Sequence, residues 1–434
     1  MAQNYDALVI GAGVIGSSIA LELARSGRSV RVLDKGPGAG HGSTSASSAI
    51  VRFNYSTMDG VATAWEAAHC WREWSEHLGG KVAEPLARFY QCGWTFLDTE
   101  LAPAERAMKL FDLCGVPYEH LDAEALAARI PTMDVGQYFP PKAIEDEHFF
   151  DDAQGSIGAL FTPDGGFVDD PRLAAANMAD AAVAFGAQFS YRTKVVAATR
   201  DDDLWKIETD RGETIEAPVV VNAAGPWSGA LNELAGVGGD FTVTVRALRQ
   251  EVAHVSAPPG YNPEGGLGSA IGDLDLGIYM RPEPGGGFLV GGTEPECDPL
   301  EWIGDPDSAN LNRTAAQFER QVMRAARRLP EITVPSQARG IAGVYDVSSD
   351  WAPIYDKTDQ PGFYVAIGTS GNQFKTAPLV GRLMNTLITA VENGADHDND
   401  PVHHIGEHTG LDMNIGAFSR KRPFNPDSTG TVMG

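Results

Sequence analysis

Residues 6–27 read DALVIGAGVIGSSIALELARSG, a stretch in which a short apolar run is followed by apolar residues at helical spacing. The first five residues are mostly apolar and end at a glycine, a pattern typical of a buried parallel strand. The residues from Val14 to Ser26 then follow helical spacing, and their apolar face consists of Ile15, Ile19 and Leu23. Residues 29–33 (SVRVL) predict a second strand, which ends at Asp34. Together these segments predict a strand–helix–strand unit.

The turn between the strand and the helix carries three glycines in a fixed pattern, Gly11-Ala-Gly13-Val-Ile-Gly16. Gly11 permits a tight turn, Gly13 leaves room for a pyrophosphate, and Gly16 lets the helix pack closely on the strand. The amino end of the helix offers free N–H groups and about half a positive charge to phosphate oxygens. Asp34 lies 18 residues after Gly16, where its carboxylate suits a ribose hydroxyl. The pattern therefore predicts binding of an adenine dinucleotide.

The composition argues against several other classes of protein. The chain has 434 residues and a formal net charge of −25, which disfavours nucleic acid and anionic membranes as partners. No Lys or Arg precedes Arg25, so the apolar start lacks the basic region of a signal peptide, and its glycines interrupt it too often for a membrane helix. The four cysteines form no C-x-x-C pair and no disulfide framework. We therefore expect a cytoplasmic protein.

Three later features favour FAD over NAD as the dinucleotide. Residues 35–48 include Gly42-Ser43-Thr44-Ser45, a loop whose hydroxyl and amide groups suit phosphate and ribityl oxygens. The apolar run PVVVN at 218–222 predicts a buried strand about 200 residues after the glycine turn, and Ala223-Ala224-Gly225 follows it. The strand FYVAI at 363–367 leads into GTSGNQFK at 368–375, which offers a second nest of amides beside a flavin ring.

Several of these segments resemble the FAD-dependent D-amino-acid oxidase superfamily, and within it the branch of sarcosine oxidases, glycine oxidases and dimethylglycine dehydrogenases. The similar segments are DALVIGAGVIGSSIALELARSG with VRVLDK, GSTSASSAIVRF, GFVDDP at 166–171, VVNAAGPWS, YMRP at 279–282 and GTSGNQFKTAPLVG. They are spread over most of residues 5–390. Jointly they are specific for the superfamily, and they leave the substrate open.

We expect an α/β fold in which a doubly wound, Rossmann-like FAD-binding domain is joined to a mainly antiparallel sheet that forms the substrate domain. The predicted FAD-binding domain is discontinuous and comprises residues 1–80, 155–240 and 340–395, and the substrate domain comprises 81–154 and 241–339. Within the latter, residues 241–245 and 287–291 are predicted strands. Residues 396–434 are polar, with Gly and Pro throughout, and we expect a C-terminal tail packed on the surface or partly disordered.

The glycine motif and the resemblance together imply FAD held without a covalent bond. The predicted cofactor contacts are Gly11, Gly13, Val14, Ile15, Gly16, Asp34, Lys35, Gly42, Ser43, Thr44, Ser45, Val195, Ala224, Gly225, Trp227, Gly343, Gly371, Asn372, Gln373, Phe374 and Lys375. Relatives with covalent flavin carry a Cys just before a Val-Tyr pair, or a His in the FAD loop. Gly343 and Ser45-Ala46-Ser47 stand near those places here, and His41 lies before the Gly-Ser-Thr segment.

Oxidation of an amine requires a hydride acceptor beside the substrate α-carbon and a site that favours the neutral amine. A fixed cation for a substrate carboxylate would hold the substrate in the right orientation and favour the neutral amine. The resemblance implies that Arg52, inside the apolar run 49–53, binds this carboxylate; a structural ion pair is the alternative. Lys375 is the second implied carboxylate contact, and contact with flavin or solvent is its alternative.

Three further residues complete the predicted site. Tyr345 matches a position that lines the active site in the family, although a core tyrosine would fit as well. Arg281 is either a further cation in the pocket or a member of an ordinary ion pair. Thr293 stands where sarcosine oxidases have an active-site histidine, and the strand before it lacks the lysine that those enzymes use with oxygen. These departures question sarcosine as the substrate and oxygen as the electron acceptor.

The predicted activity is FAD-dependent oxidation of a C–N bond in a small carboxylate-bearing amine, an amino acid or N-alkyl amino acid, to an imine that water hydrolyses. The alternatives are oxidation of a hydroxy acid or polyol phosphate, and a flavoprotein subunit without catalysis. His404 and His408 have i, i+4 spacing, but a zinc site needs further ligands on a firm scaffold, so we expect no metal. The sequence gives no prediction of the oligomeric state.

Overall fold

The computed structural model describes residues 3–434. Its helices are α1 Val14–Arg25, α2 Met58–Arg72, α3 Trp74–His77, α4 Ala104–Cys114, α5 Ala123–Arg129, α6 Pro171–Ala184, α7 Ser228–Ala235, α8 Ala315–Arg328 and α9 Ala377–Glu392. Its strands are β1 Gln3–Asn4, β2 Ala7–Ile10, β3 Val30–Leu33, β4 Ile50–Val51, β5 Phe89–Tyr90, β6 Trp94–Leu97, β7 Glu119–Leu121, β8 Ala159–Thr162, β9 Gly166–Val168, β10 Gln188–Ser190, β11 Val195–Asp201, β12 Leu204–Thr209, β13 Thr214–Ala217, β14 Val219–Asn222, β15 Val245–Ser256, β16 Ala270–Asp273, β17 Ile278–Pro282, β18 Gly287–Gly292, β19 Glu301–Ile303, β20 Gly340–Ser348, β21 Ile354–Lys357, β22 Phe363–Ile367, β23 His403–Ile405 and β24 Asp412–Asn414.

The predicted strand–helix–strand unit lies at the centre of a six-stranded sheet with the order β10-β3-β2-β14-β22-β21. All neighbours are parallel except β21 and β22. The register sets Ile10 beside Asn222, and Asn222 beside Val365, so strands from three distant segments end at one edge of the sheet. Ligands of open α/β sheets bind outside the carboxyl ends of the strands, so this edge is where a site is expected.

A nine-stranded, mainly antiparallel sheet forms the second large layer. Its order is β19-β15-β18-β17-β16-β6-β8-β7, β20 pairs with β15, and β6 with β16 is its one parallel pair. The predicted fold class, a doubly wound sheet joined to a mainly antiparallel one, is confirmed. The strands β8 and β20, which the sequence-based boundaries assign to the FAD-binding domain, belong to this second sheet. The domain boundaries themselves stay a prediction.

The prediction of a strand over residues 241–245 is wrong, because only Val245 belongs to a strand. The N–H and the hydroxyl of Thr242 donate to the carbonyl of Arg420, and the hydroxyl also contacts the carbonyl of Arg422. The hydrogen bonds that a strand would give to a neighbour therefore go to a segment near the end of the chain.

That segment, residues 396–434, packs against the rest of the chain and contributes buried side chains to the fold. Arg420 is fully buried and pairs with Asp240, Asp356 and Asp398, while Arg422 forms a two-bond ion pair with Asp350. Buried charges need such partners, which sequence composition does not reveal. Farther along, Val432 and Met433 are buried as well. Within the described residues, no helix has the length and apolar character needed to cross a bilayer.

Candidate functional site

The turn between β2 and α1 is closed by contacts that only glycine permits. Gly11 has φ +109°, and a Cβ there would lie 2.3 Å from the carbonyl oxygen of Ala223, just after β14. A Cβ at Gly16 would lie 1.9 Å from the carbonyl oxygen of Gly11. At Gly13 the one atom within 4 Å is Thr44 Oγ1, at 3.3 Å. This backbone therefore admits the close approach that a pyrophosphate needs.

A cavity of about 470 Å³ runs from this turn along the carboxyl edge of the six-stranded sheet. Most of the predicted cofactor contacts line it: Gly11, Gly13, Val14, Ile15, Asp34, Lys35, Gly42, Ser43, Thr44, Val195, Ala224, Gly225, Trp227, Gly371, Gln373 and Phe374. Gly16, Ser45, Gly343, Asn372 and Lys375 do not line it. Thr193, Lys194 and the loop 304–307 also line the cavity, and no sequence motif marks them.

Asp34 braces the glycine turn from the end of β3. Its carboxylate accepts hydrogen bonds from the N–H of Ala12 and the N–H of Gly36, each at 2.6 Å. The acid thus stands beside the amino end of α1, where a ribose hydroxyl would reach it. An open cleft, bare glycine backbone, a helix amino terminus and this carboxylate together fit FAD.

Lys35 closes the neighbouring part of the cavity. Its Nζ lies 3.8 Å from the centroid of the Trp227 ring and forms an ion pair with Asp307. Asp307 also accepts a hydrogen bond from Trp227 Nε1 at 2.9 Å. The hydrogen bond from Lys35 lowers the pKa of the Asp307 carboxyl. The loop around Asp307 is thereby tied across the cavity, a contact that residue spacing could not predict.

A second, smaller pocket of about 50 Å³ adjoins the cavity. Ser47, Tyr345, Gly371 and Phe374 line both. The other lining residues are Ser48, Ala49, Ile50, Arg52, Trp94, Tyr279, Asn372, Lys375, Val432 and Met433. Three of the four predicted catalytic residues therefore meet beside the cavity that fits FAD: Arg52, Lys375 and Tyr345. The space holds a few water molecules at most.

Two buried cations dominate this pocket. Arg52 is 4% exposed and Lys375 is 3% exposed, and both lie against the ring of Tyr55, with 5.4 Å and 4.9 Å to its centroid. Burial lowers the pKa of Arg52, and burial together with the charge of Arg52 lowers the pKa of Lys375 well below its usual range. The pocket is thus built for an anion, which would offset this cost.

The hydrogen-bond partners of the two cations are carbonyl groups. Arg52 Nη1 donates to the carbonyl of Asn54, and Nη2 donates to that of Val432 at 2.7 Å. Lys375 Nζ donates to the carbonyl of Asn372. Across residues 3–434, neither cation forms an ion pair, so the alternative of a structural acid beside Arg52 has no support. Buried charges without a counter-ion are typical of binding sites.

The phenol groups of Tyr279 in β17 and Tyr345 in β20 line one side of the pocket. Tyr279 and Tyr345 are hydrogen-bonded to each other, and the Tyr279 hydroxyl lies 2.8 Å from Ser48 Oγ. Burial raises the pKa of Tyr279 and that of Tyr345, so both stay neutral. Tyr345 therefore contributes hydrogen bonding rather than charge to the pocket.

Thr293 and Arg281 do not line the pocket. Thr293 is 1% exposed, and its N–H donates to the carbonyl of Gly277. Arg281 stacks on Phe167, 4.1 Å from the ring centroid, and pairs with Glu283 at 3.4 Å, so it is a structural ion pair. The neighbouring residue Glu294, which the sequence does not mark, accepts a hydrogen bond from the N–H of Val432 at 3.1 Å.

His404 and His408 have separate partners. The Nδ1 atom of His404 lies 2.9 Å from the Thr386 hydroxyl, and His408 stacks on His69. In the part of the chain that the structure describes, no three His, Cys, Asp or Glu side chains are arranged to hold a metal ion.

Comparison with known proteins agrees with this geometry. A family model described as FAD dependent oxidoreductase matches residues 6–387. A glycine oxidase of Geobacillus kaustophilus is 26% identical over 402 residues, covering 91% of this chain and 96% of its own. A bovine (Bos taurus) FAD-dependent oxidoreductase domain-containing protein 1 is 27% identical over 418 residues, covering 89% of this chain and 81% of its own. The structure of an L-proline dehydrogenase from P. horikoshii has the same fold, with a TM-score of 0.75, 21% identity, and coverage of 97% of this chain and 98% of that one.

Proposed function

The chain belongs to the FAD dependent oxidoreductase family, and from this premise we propose that it oxidises the C–N bond of a small amino acid or N-alkyl amino acid. The observation that carries the proposal is the pair of buried cations without counter-ions, Arg52 and Lys375, beside the FAD cavity. The similarity to glycine oxidase supports the same class of substrate. Hydride transfer to the bound flavin is the chemistry that the cofactor supplies.

Arg52 binds the substrate carboxylate in this proposal. Its planar guanidinium offers paired donors that match two carboxylate oxygens, and it keeps its charge even where burial lowers its pKa. Lys375 lies in the same pocket and adds positive potential. A carboxylate entering this pocket would stabilise both cations, which explains why a protein keeps two of them buried.

The same cations favour the reactive form of the amine. An ammonium group has no lone pair from which to expel a hydride, and nearby positive charge in a buried site lowers an amine pKa. The phenols of Tyr279 and Tyr345 surround this site without adding negative charge. The pocket thus binds the carboxylate and promotes loss of a proton from the neighbouring nitrogen.

We propose that FAD is held without a covalent bond. A Cβ at Gly343, near the position where some relatives carry a flavin-linked cysteine, would lie 2.7 Å from the Cβ of Ala46. The cavity lining contains no cysteine among the described residues, and its histidine is His41. The site therefore lacks a thiol that could attach to the flavin.

An anaerobic reduction screen tests the proposal. Purified protein loaded with FAD is mixed, without oxygen, with small amino acids, N-methyl amino acids, hydroxy acids and polyol phosphates, and the flavin absorbance is recorded. Bleaching by an amine supports the proposal, and admission of air then shows whether oxygen restores the colour. Bleaching by hydroxy acids or polyol phosphates alone would move the activity to the alternative class, and no bleaching by any of them would favour a subunit without catalysis.

A further inference from the structure

The backbone of Val432 occupies the pocket in an unusual way. Its carbonyl oxygen accepts a hydrogen bond from Arg52 Nη2 at 2.7 Å, and its N–H donates to Glu294 Oε2 at 3.1 Å. One residue of the chain thus links the proposed carboxylate-binding cation to a carboxyl group on the other side.

This arrangement has the chemistry of an amino acid. The atoms N, Cα, C and O of Val432 are connected as the amino nitrogen, α-carbon, carboxyl carbon and carboxyl oxygen of a free α-amino acid are connected, with the same bond lengths. Arg52 and Glu294 are therefore separated by the distance that an α-amino acid spans when its carboxylate and its nitrogen are both bound. A hydroxy acid would present a hydroxyl in place of the nitrogen.

Glu294 has the properties of a binding group rather than a structural one. The residue is partly buried, and within residues 3–434 its Oε1 atom is buried without a hydrogen-bond partner and its carboxyl forms no ion pair. Its φ is +54°, a backbone conformation that costs a non-glycine residue about 1–3 kcal/mol and that clusters at functional sites. Burial raises its pKa to about 8, with a smaller contribution from Asp298.

The segment that carries Val432 is anchored by an ion pair before the pocket and by hydrogen bonds within it. Arg422 is fixed by Asp350 through two hydrogen bonds, at 2.7 Å each. Beyond it, the hydroxyls of Thr429 and Thr431 lie 2.9 Å apart, Ser428 Oγ donates to the carbonyl of Asp350 at 3.1 Å, and Val432 contacts Arg52 and Glu294. The remaining space is about 50 Å³, and the Val432 carbonyl already accepts from Arg52 Nη2, so a substrate carboxylate competes with that carbonyl for Arg52.

We propose that Glu294 receives the amino group of the substrate while Arg52 receives its carboxylate, and that the Val432 backbone holds these two positions until the substrate displaces it. The inference rests on the proposed function and assigns Glu294 a part in it. Glu294 is then the group that distinguishes an amine from other small carboxylates.

The test uses two ligands that differ only in the amino group. 2-Aminoisobutyrate has no hydrogen on its α-carbon and cannot give up a hydride, and isobutyrate is its counterpart without nitrogen. Both are titrated into the FAD-loaded protein, and binding is followed by the change in flavin absorbance and by calorimetry. The variant is Glu294→Gln, and the control is Glu301→Gln, a half-exposed partner of Arg249.

We expect Glu294→Gln to weaken 2-aminoisobutyrate about tenfold or more, the effect of losing a hydrogen bond to a charged group, and to change isobutyrate less than about twofold. Glu301→Gln should leave both unchanged. Equal weakening of both ligands, no weakening of either, or no binding of 2-aminoisobutyrate to the unaltered protein would overturn the proposal. If Glu294→Gln does not retain FAD, Glu294→Asp keeps a carboxyl group at a shorter reach and should weaken the amine selectively.

The outcome is separable from that of the proposed function. If 2-aminoisobutyrate binding depends on Glu294 but no amine reduces the flavin, the binding role stands and the oxidation proposal fails. If amines reduce the flavin and Glu294→Gln binds 2-aminoisobutyrate like the unaltered protein, the oxidation proposal stands and the role of Glu294 fails.

Discussion

Replacement of Arg52 by lysine separates charge from geometry at the anion site. Lys375 shows what happens to a lysine in this pocket: burial and a neighbouring cation lower its pKa well below the usual range. A lysine at position 52 would be buried in the same pocket beside the same second cation, so its pKa would fall likewise. We therefore expect a lysine at position 52 to hold its charge less firmly than arginine does, although the exchange looks conservative.

The size of the effect follows from the contacts that would be lost. A buried, charge-assisted pair broken by removal of one partner costs about 2–5 kcal/mol, which corresponds to a loss of affinity of about 30-fold to several thousand-fold. Because a lysine with a depressed pKa gains charge on acidification, the ratio of the variant and unaltered dissociation constants should shrink as the pH falls. The unaltered Arg52 stays charged throughout.

The assay is a titration of the FAD-loaded protein with isobutyrate at several pH values, followed by flavin absorbance. FAD content and thermal unfolding serve as controls, because Arg52 also donates to the carbonyls of Asn54 and Val432. An Arg52→Lys protein that binds isobutyrate as tightly as the unaltered protein, at every pH, would refute the assignment of Arg52 as the carboxylate site.

Three other predictions concern the cofactor and Glu294. Gly11→Ala should yield protein that binds FAD weakly or not at all, because the new Cβ would lie 2.3 Å from the Ala223 carbonyl oxygen. The control is Gly27→Ala, which is also at positive φ but has no atom within 4 Å of the new Cβ, and this protein should remain yellow. Equal loss of FAD in both variants would contradict the steric argument. Acid precipitation should release FAD into the supernatant, whereas colour retained in the pellet would show a covalent bond. The pKa of Glu294 is raised to about 8 in the folded protein, so between about pH 4.5 and 8 the folded protein keeps a proton that the unfolded chain has lost. This group therefore makes the stability of the fold decrease as the pH rises through that window. Glu294→Gln lacks that titration, and its melting temperature relative to the unaltered protein should increase from pH 5 to pH 8; a constant difference would show that the group titrates normally.

The FAD cavity could be predicted from the sequence because its requirements are local. Gly11 and Gly16 are glycines for steric reasons that act over a few residues, and the apolar runs of β2, β14 and β22 are typical of buried parallel strands. The roles predicted for Arg52 and Lys375 came from the resemblance of the segments around them to the D-amino-acid oxidase superfamily.

The rest of the site depends on contacts between distant parts of the chain. Arg52 and Val432 are 380 residues apart, and the segment around Val432 is polar and rich in turn-forming residues, which predicts exposure. Its burial follows from the ion pairs of Arg420 and Arg422, whose acidic partners cannot be identified from spacing. Glu294 was missed for the same reason, since a lone acid beside a strand carries no motif.

The pairing of β2 with β14 and of β14 with β22 also constrains how the protein folds during its synthesis. The glycine turn emerges first from the ribosome, but the carbonyl of Ala223 that closes it follows about 210 residues later, and β22 about 140 residues after that. At typical synthesis rates of about 5–20 residues per second, the first strands wait tens of seconds for their neighbours. During that interval the apolar faces of β2 and α1 lack their partners, so nascent chains should depend on chaperones, and cofactor loading should follow completion of the sheet.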